Sequence, residues 1–216
     1  DSDLYKTIEA VAWEIGRSGT DAFDAWLDDV VGLLERAQEP DGYLMSAIQL
    51  GDHGGRWEHL EHTHEMYVLG HLVQAAVALA RTAGREDLLA VAVRFVDLVD
   101  ATFGPDAGRT GICGHPEIET ALVELYRHTG ERRHLALAEH MIDLRGTGTL
   151  RVGGLGAQYF QDHEPVRQAR TVVGHAVRQL YLAAGATDVH LETGEEALAA
   201  AMHAQWDDAH ERKMYI

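Results

Sequence analysis

The chain has 216 residues, of which 46% are hydrophobic and 25% are charged, the composition of an ordinary soluble globular protein. Its 18 basic and 35 acidic side chains give a net charge of −17, which disfavours nucleic acid and anionic lipid as partners. No apolar run approaches the roughly 20 residues that a membrane-spanning helix needs, so we expect no membrane segment.

The amino terminus and the cysteine content both indicate a reducing compartment. The first three residues, Asp1-Ser2-Asp3, are not a basic segment followed by an apolar core, so no secretory signal is visible. Cys113 is the only cysteine, which rules out an internal disulfide framework. We therefore predict a cytoplasmic location, and we interpret Cys113 as a small packing residue rather than a nucleophile.

The first part of the chain is predicted to form two helices and a loop. Four prolines, with abundant Ala, Leu, Glu and Arg, favour helix over strand. One helix is predicted over residues 3–17 and a second over residues 21–37, where apolar residues recur at helical spacing. Glu39-Pro40-Asp41-Gly42 has turn chemistry and ends the second helix, and residues 43–57 are predicted to be a loop.

A Gly-His pair then recurs after intervals of 44 and 60 residues, at Gly70-His71, Gly114-His115 and Gly174-His175. Each pair precedes an amphipathic run, a glycine turn and a second amphipathic run, with the turns near Gly84, Gly130 and Gly185. This pattern predicts three helical hairpins of a repeat array, with each pair at the entrance of a first helix. If the hairpins curve round a common axis, the three imidazoles converge on one mouth.

The third hairpin and its surroundings carry further predictions. Its first helix is predicted to bury a stripe of Val177, Tyr181 and Ala184. The segment 146–160 holds five glycines and is predicted to be a long surface loop that borders the site. An array of three or four hairpins leaves an apolar face uncovered. That face is covered either by a second copy in a homodimer or by a continuation of the natural protein.

The segment His62-Thr63-His64-Glu65, followed by His71, resembles a metal site at first sight. The zincin pattern fails, because no histidine follows three residues after Glu65. His64 and His71 are predicted to lie two turns apart on one helical face. They are either two surface histidines or a pair that points into a polar pocket.

Two more motifs carry candidate site residues. Gly114-His115-Pro116-Glu117 indicates a helix start with Pro near its first position. His115 is a poor capping residue, so we expect it to serve the protein's function rather than the start of the helix. The dense polar segment from Gln161 to Glu164 is either an ordered loop or part of an acid/base pair of Asp162 with His163 or Glu164. No two carboxylates are singled out as a glycosidase pair.

Taken together, these motifs resemble the bacterial β-L-arabinofuranosidases of glycoside hydrolase family 127. The matching segments span essentially the whole chain and are Asp41-Gly42-Tyr43-Leu44, His64-Glu65-Met66-Tyr67, Gly70-His71-Leu72, Gly114-His115-Pro116-Glu117-Ile118-Glu119, Thr129-Gly130-Glu131, His163-Glu164-Pro165-Val166, Gly174-His175-Ala176-Val177-Arg178 and Met214-Tyr215-Ile216. The loops at 45–59 and 146–157 differ from typical members.

The resemblance implies an all-α fold, an (α/α)6 toroid of helical hairpins, of which residues 1–216 form a single portion. It implies a retaining hydrolase with a zinc-bound cysteine nucleophile and a separate glutamate as acid/base. The catalytic Glu and the Cys/zinc segment are expected after the end of this chain, so no catalytic or metal-binding residue is assigned within it. Cys113 matches none of them.

What the resemblance carries over is a set of histidines that binds a small, arabinofuranoside-like carbohydrate: His64, His115 and either His163 or His175. We add His71 and Gln161 as further candidate substrate-binding residues. Between His163 and His175 the sequence does not decide. Two other functions stay open: a non-catalytic carbohydrate-binding or scaffolding toroid, and a histidine-based sugar epimerase or isomerase.

Overall fold

The computed structural model describes residues 1–52 and 54–214, and these residues form helices and loops without a strand. The helices are α1 Ser2–Ser18, α2 Asp24–Ala37, α3 Ser46–Gln49, α4 Glu65–Ala83, α5 Asp87–Phe103, α6 Ile118–Thr129, α7 Arg132–Leu144, α8 Ala176–Thr193 and α9 Glu196–Arg212. The predicted all-α class is confirmed. The short helix α3 lies inside the segment 43–57 that was predicted to be a loop. The Met214-Tyr215-Ile216 match lies mostly outside the described residues.

The helices form two rows. Helices α1, α4, α6 and α8 pack side by side in that order, while α5, α7 and α9 pair with α4, α6 and α8 as antiparallel hairpins. Helix α4 is buried on most of its surface, because α1, α5 and α6 all contact it. A helix with apolar residues on all sides is stable only in such a position. Consecutive hairpins with one shared row are the arrangement expected of part of an α/α toroid.

Glycine turns end the first helix of every hairpin. Gly84 and Gly130 adopt left-handed backbone conformations at the ends of α4 and α6, as predicted. The third turn is at Gly194, so its predicted place at Gly185 is wrong. Gly185 lies inside α8, where a Cβ would come 2.6 Å from the Cβ of Glu119. It therefore allows α8 to approach α6 closely, a role that local sequence does not distinguish from a turn.

The predicted helix entrances need three corrections. Gly70-His71 lies within α4 rather than at its start, because α4 begins at Glu65. His64 is the N-cap of α4 in a left-handed conformation, so it does not share a helical face with His71. Helix α6 begins at Ile118, which leaves His115 and Pro116 in the preceding segment.

The predicted apolar stripe of α8 is also wrong. Val177 and Ala184 are exposed, and Tyr181 is half-buried. The buried apolar positions are Leu182, Ala186 and Val189, one residue or more out of step with the prediction. The buried face of α8 is set by its contacts with α6, α7 and α9, which helical spacing alone does not reveal.

The glycine-rich segment, residues 146–160, was predicted to be a surface loop but contains regular structure. It contains two 3-10 helices, Gly153–Leu155 and Ala157–Phe160, and Phe160 is fully buried. The Asp162 carboxylate accepts hydrogen bonds from the backbone N–H groups of Gly146 and Leu150, at 2.8 and 3.0 Å. This segment is thereby fixed against the helix row. No helix among the described residues is long and apolar enough to cross a membrane.

Candidate functional site

Six aromatic rings from α4, α8 and the segment before α6 form one cluster, which we call the ring cluster: His64, Tyr67, His71, His115, His175 and Tyr181. Tyr67 and His115 lie at its centre, with 4.5 Å between their ring centroids. The His115 ring lies 5.8 Å from His64, 6.1 Å from His175 and 5.6 Å from Tyr181. The predicted convergence of the three Gly-His imidazoles is therefore what the structure shows.

The backbone next to each outer histidine fixes which nitrogen carries its proton. Nδ1 of His64 faces the carbonyl of His62, and Nδ1 of His115 lies 2.8 Å from the carbonyl of Pro116. Because a carbonyl only accepts, both Nδ1 atoms carry hydrogen and both Nε2 atoms are acceptors. Nδ1 of His175 instead accepts from the backbone N–H of Arg178 at 3.4 Å, so its Nε2 is a donor.

The first two of these imidazoles are neutral at physiological pH. Burial is the main cause that lowers the pKa of His64 below its usual value, with the hydrogen bond to the His62 backbone acting against it and the nearby Arg178 charge adding to it. Burial is also the main cause that lowers the pKa of His115 to about 4. Neutral rings that each keep one free nitrogen can accept hydrogen bonds from hydroxyl groups.

The tyrosines add phenolic groups to the ring cluster. Nζ of Lys6, from α1, donates to the hydroxyl of Tyr67 at 2.9 Å. The Tyr67 ring lies 4.6 Å from His71 and 6.1 Å from Tyr181. Burial raises the pKa of Tyr181 to about 12, so its phenol stays protonated and can donate.

Two buried arginines, Arg145 and Arg178, contact the glycine-rich segment next to the ring cluster. Arg178 lies over the Tyr159 and Phe160 rings, at 4.2 and 4.8 Å, and it is almost fully buried. Nη2 of Arg145 contacts Oε1 of Glu119 at 3.2 Å, and neither side chain is exposed. Nη1 of Arg145 also donates to the Phe160 carbonyl. These contacts fasten the glycine-rich segment to α6 and α8.

The remaining predicted site residues lie outside the ring cluster. Nε2 of Gln161 donates to the carbonyls of Val173 and Gln158, so Gln161 holds the segment that carries His175. His163 is half-buried and makes no ring contact with the ring cluster among the described residues. The structure thus brings together four of the six predicted residues, and of the two that sequence left open it places His175 among them.

Sequence reasoning missed Tyr67, Lys6, Tyr181 and Arg178 as site residues. Tyr67 is four residues before His71 on the same helix, and this spacing was a usable signal. Arg178 follows His175 by three residues, within one of the quoted motifs. Lys6 carries no such signal, because only the packing of α1 against α4 brings it to Tyr67.

An open cleft of about 610 Å³ adjoins the ring cluster at His64. Its lining residues come from the segment around α3 and the segment before α4: Met45, Ala47, His59, His62, Thr63 and His64. Among residues 1–52 and 54–214, no group of three or more His, Cys, Asp or Glu side chains could hold a metal ion. Of the ring-cluster residues, His64 is the one that lines this cleft.

Comparisons with known proteins agree on one group of enzymes. Over residues 1–216 the sequence matches the family model described as "Beta-L-arabinofuranosidase, GH127 catalytic domain". A non-reducing end beta-L-arabinofuranosidase of Bifidobacterium longum subsp. longum is 38% identical over 239 residues, which cover 100% of this chain and 36% of that protein.

Solved structures show the same fold. A crystal structure of a GH127 beta-L-arabinofuranosidase from Geobacillus stearothermophilus T6 has a TM-score of 0.95 and 36% identity, covering 100% of this chain and 36% of that one. A GH127 beta-arabinofuranosidase has a TM-score of 0.90 and 32% identity, with 100% and 34% covered. The chain thus spans about a third of the length of the relatives that it matches.

Proposed function

The chain belongs to the catalytic-domain family of glycoside hydrolase family 127, and we propose that it forms the sugar-binding part of a β-L-arabinofuranosidase. The resemblance seen in the sequence motifs is confirmed at the level of the family. The substrate that we propose is a small β-L-arabinofuranoside, because the named relatives are enzymes of that type.

The observation that carries this proposal is the set of three imidazoles whose free nitrogens differ in role. Nε2 is an acceptor on His64 and His115 and a donor on His175, as their Nδ1 contacts require. A sugar hydroxyl both donates and accepts, so three such groups in one cluster can bind several hydroxyls in a defined orientation. Tyr67 and Tyr181 add apolar ring faces for the C–H groups of a furanose.

The described residues do not fit the zinc–thiolate centre that the resemblance implies. They hold no cluster of metal-binding side chains, and burial raises the pKa of the Cys113 thiol to about 11. We therefore assign no catalytic step to residues 1–52 and 54–214, and propose that they bind and orient the sugar. A cytoplasmic location and homodimer formation stay predictions.

Sugar binding is tested by calorimetric titration of the purified protein with methyl β-L-arabinofuranoside, and with the arabinopyranoside as a ring-size control. His115→Ala removes a central ring, and we expect it to weaken furanoside binding by about tenfold or more. The matched control is His203→Ala, because His203 is an exposed histidine on α9, remote from the ring cluster in sequence. Equal affinity for furanoside and pyranoside, or an unchanged affinity in His115→Ala, contradicts the proposed binding site.

No catalytic step is assigned to the described residues, so turnover is tested on the natural full-length protein that contains residues 1–216. The substrate is an aryl β-L-arabinofuranoside, with the α-anomer as the control. Release of the aryl group from the β-anomer alone supports the hydrolase proposal. Binding without release supports a carbohydrate-binding toroid instead. A changed sugar with the aglycone still attached supports an epimerase or isomerase, and either of these results refutes the proposed hydrolysis.

A further inference from the structure

His71, one of the ring-cluster residues, faces Glu117 inside the protein. Oε1 of Glu117 lies 3.6 Å from Nδ1 of His71, and the two side chains are 0% and 4% exposed. Both carboxyl oxygens and both ring nitrogens lack a hydrogen-bond partner among the described residues. Four unpartnered polar atoms at one buried contact are rare in folded proteins, so the contact calls for a specific explanation.

The close approach of the two helices creates the space for this contact. Gly70 precedes His71 in α4, and a Cβ at Gly70 would collide with Oε2 of Glu117 and come 2.5 Å from its Cδ. The Glu117 carboxyl therefore occupies the volume that a side chain at position 70 would fill. Glu117 is fully buried, as is Ile118, the first residue of α6.

The charges around the pair favour the neutral form of both groups. Burial, and then the neighbouring Glu119 and Glu9 carboxylates, raise the pKa of Glu117 well above its usual value, with Lys6 acting weakly against them. Burial, and then Lys6 and His115, lower the pKa of His71 to about 4, with Asp3 acting weakly against them. At neutral pH a carboxylic acid thus faces a neutral imidazole.

We propose that Glu117 is a positioning residue for the sugar site, and that its carboxyl O–H donates a hydrogen bond to Nδ1 of His71. This inference rests on the proposed function. The proton stays on Glu117, so His71 keeps its own proton on Nε2 and no charge is buried. The 3.6 Å separation needs to shorten by roughly 0.6 Å to bring the carboxyl O–H within hydrogen-bond distance of Nδ1.

The effect of Glu117 reaches the sugar site through two ring contacts. The His71 ring packs edge-on against Tyr67 at 4.6 Å, and Tyr67 packs against His115 at 4.5 Å. A His71 ring held in one tautomer and one orientation therefore fixes the tyrosine on which His115 rests. Lys6 fixes the other end of Tyr67 by its hydrogen bond to the hydroxyl.

The test compares two substitutions that separate hydrogen bonding from charge. Glu117→Gln keeps the volume and a neutral donor, so we expect the Kd for methyl β-L-arabinofuranoside to stay within about twofold of the wild type. Glu117→Leu keeps the volume without the donor, and we expect this Kd to rise about tenfold. Glu86→Gln, at an exposed glutamate before α5, is the matched control.

A nitrogen-15 spectrum of the histidine side chains gives a readout that a purely structural role would not move. In the wild type and in Glu117→Gln, His71 is expected to have a protonated Nε2 and an unprotonated Nδ1. In Glu117→Leu the two tautomers are expected to mix. His71→Gln identifies the signals. An unchanged tautomer in Glu117→Leu overturns the proposal, and so does a loss in Glu117→Gln as large as in Glu117→Leu.

The spectrum also separates this inference from the proposed function, because it needs no substrate. If the wild type neither binds nor cleaves an arabinofuranoside, the proposed function fails, and with it the role of Glu117 in sugar binding. If sugar binding is confirmed but the spectrum shows Nδ1 of His71 protonated, only the positioning role fails. If Glu117→Leu does not fold, Glu117→Gln and the wild-type spectrum decide the outcome.

Discussion

Gly70→Ala is the sharpest test of how α4 and α6 pack. The added Cβ would lie 2.5 Å from Cδ of Glu117 and 3.1 Å from the backbone Cα of Ile118. Overpacking of this kind costs about 1–3 kcal/mol, and the better helix propensity of Ala returns roughly 0.5–1 kcal/mol. We therefore expect the free energy of unfolding to fall by up to about 2.5 kcal/mol.

The assay is urea unfolding followed by circular dichroism, with Gly32→Ala as the matched control. Gly32 lies inside α2, where a Cβ would meet only the mobile end of Arg36 at 3.3 Å, so this variant should gain stability. Glu117→Ala removes the carboxyl that the new Cβ would meet. The free energy of unfolding of the double variant Gly70→Ala/Glu117→Ala should therefore fall by about 1 kcal/mol less than the sum of the falls in the two single variants. If Gly70→Ala is as stable as Gly32→Ala, the packing argument is wrong.

Three further predictions concern the buried groups around the site. Arg145→Met leaves the buried Glu119 carboxylate without its partner, and it should lower the free energy of unfolding in urea by about 3–5 kcal/mol. Arg133→Met, at a half-exposed ion pair, should lower it by only about 0–1 kcal/mol. Equal losses in the two variants would contradict this prediction. The folded-state pKa values of His71 and His115, about 4, lie below the usual 6.5, so their stabilisation is complete above about pH 6.5 and is lost as the pH falls towards 4. The raised pKa of Glu117 acts in the opposite direction, and a pH series of unfolding midpoints should show a shallower slope in this window for His115→Gln than for the wild type. Cys113 is buried with a raised pKa, so a thiol reagent should label it only after denaturation, and rapid labelling of the native protein would refute its assignment as a packing residue.

The helices and two of the three turns could be predicted from the sequence because their signals are local. The spacing of apolar residues predicted α2 with its start three residues too early and its end at the observed residue. Gly84 and Gly130 follow the last periodic residues of their helices. Gly185 misled the same reasoning, because a glycine inside a helix and a glycine at its end look alike in sequence. Only the approach of α6 distinguishes them.

The histidines of the candidate site could be named from the sequence, but their arrangement could not. His64 caps α4 with a left-handed backbone, a conformation that is uncommon outside glycine and has no signal in the motif. Lys6 reaches Tyr67 across 61 residues of sequence, and the pairing of Glu117 with His71 needs the packing of two hairpins. Such contacts depend on tertiary structure, so neither periodicity nor spacing could reveal them.

The three Gly-His pairs are equivalent in packing rather than in their position on helices. A Cβ at Gly70 would collide with Glu117, one at Gly114 would come 2.7 Å from Cα of Glu61, and one at Gly174 would come 2.7 Å from the backbone carbon of Gln158. In each pair a neighbouring segment presses against the chain immediately before the histidine. The glycine thus allows the contact that fixes where the following imidazole lies. This explains why the pair recurs although His71 is inside a helix, His115 precedes one and His175 caps one.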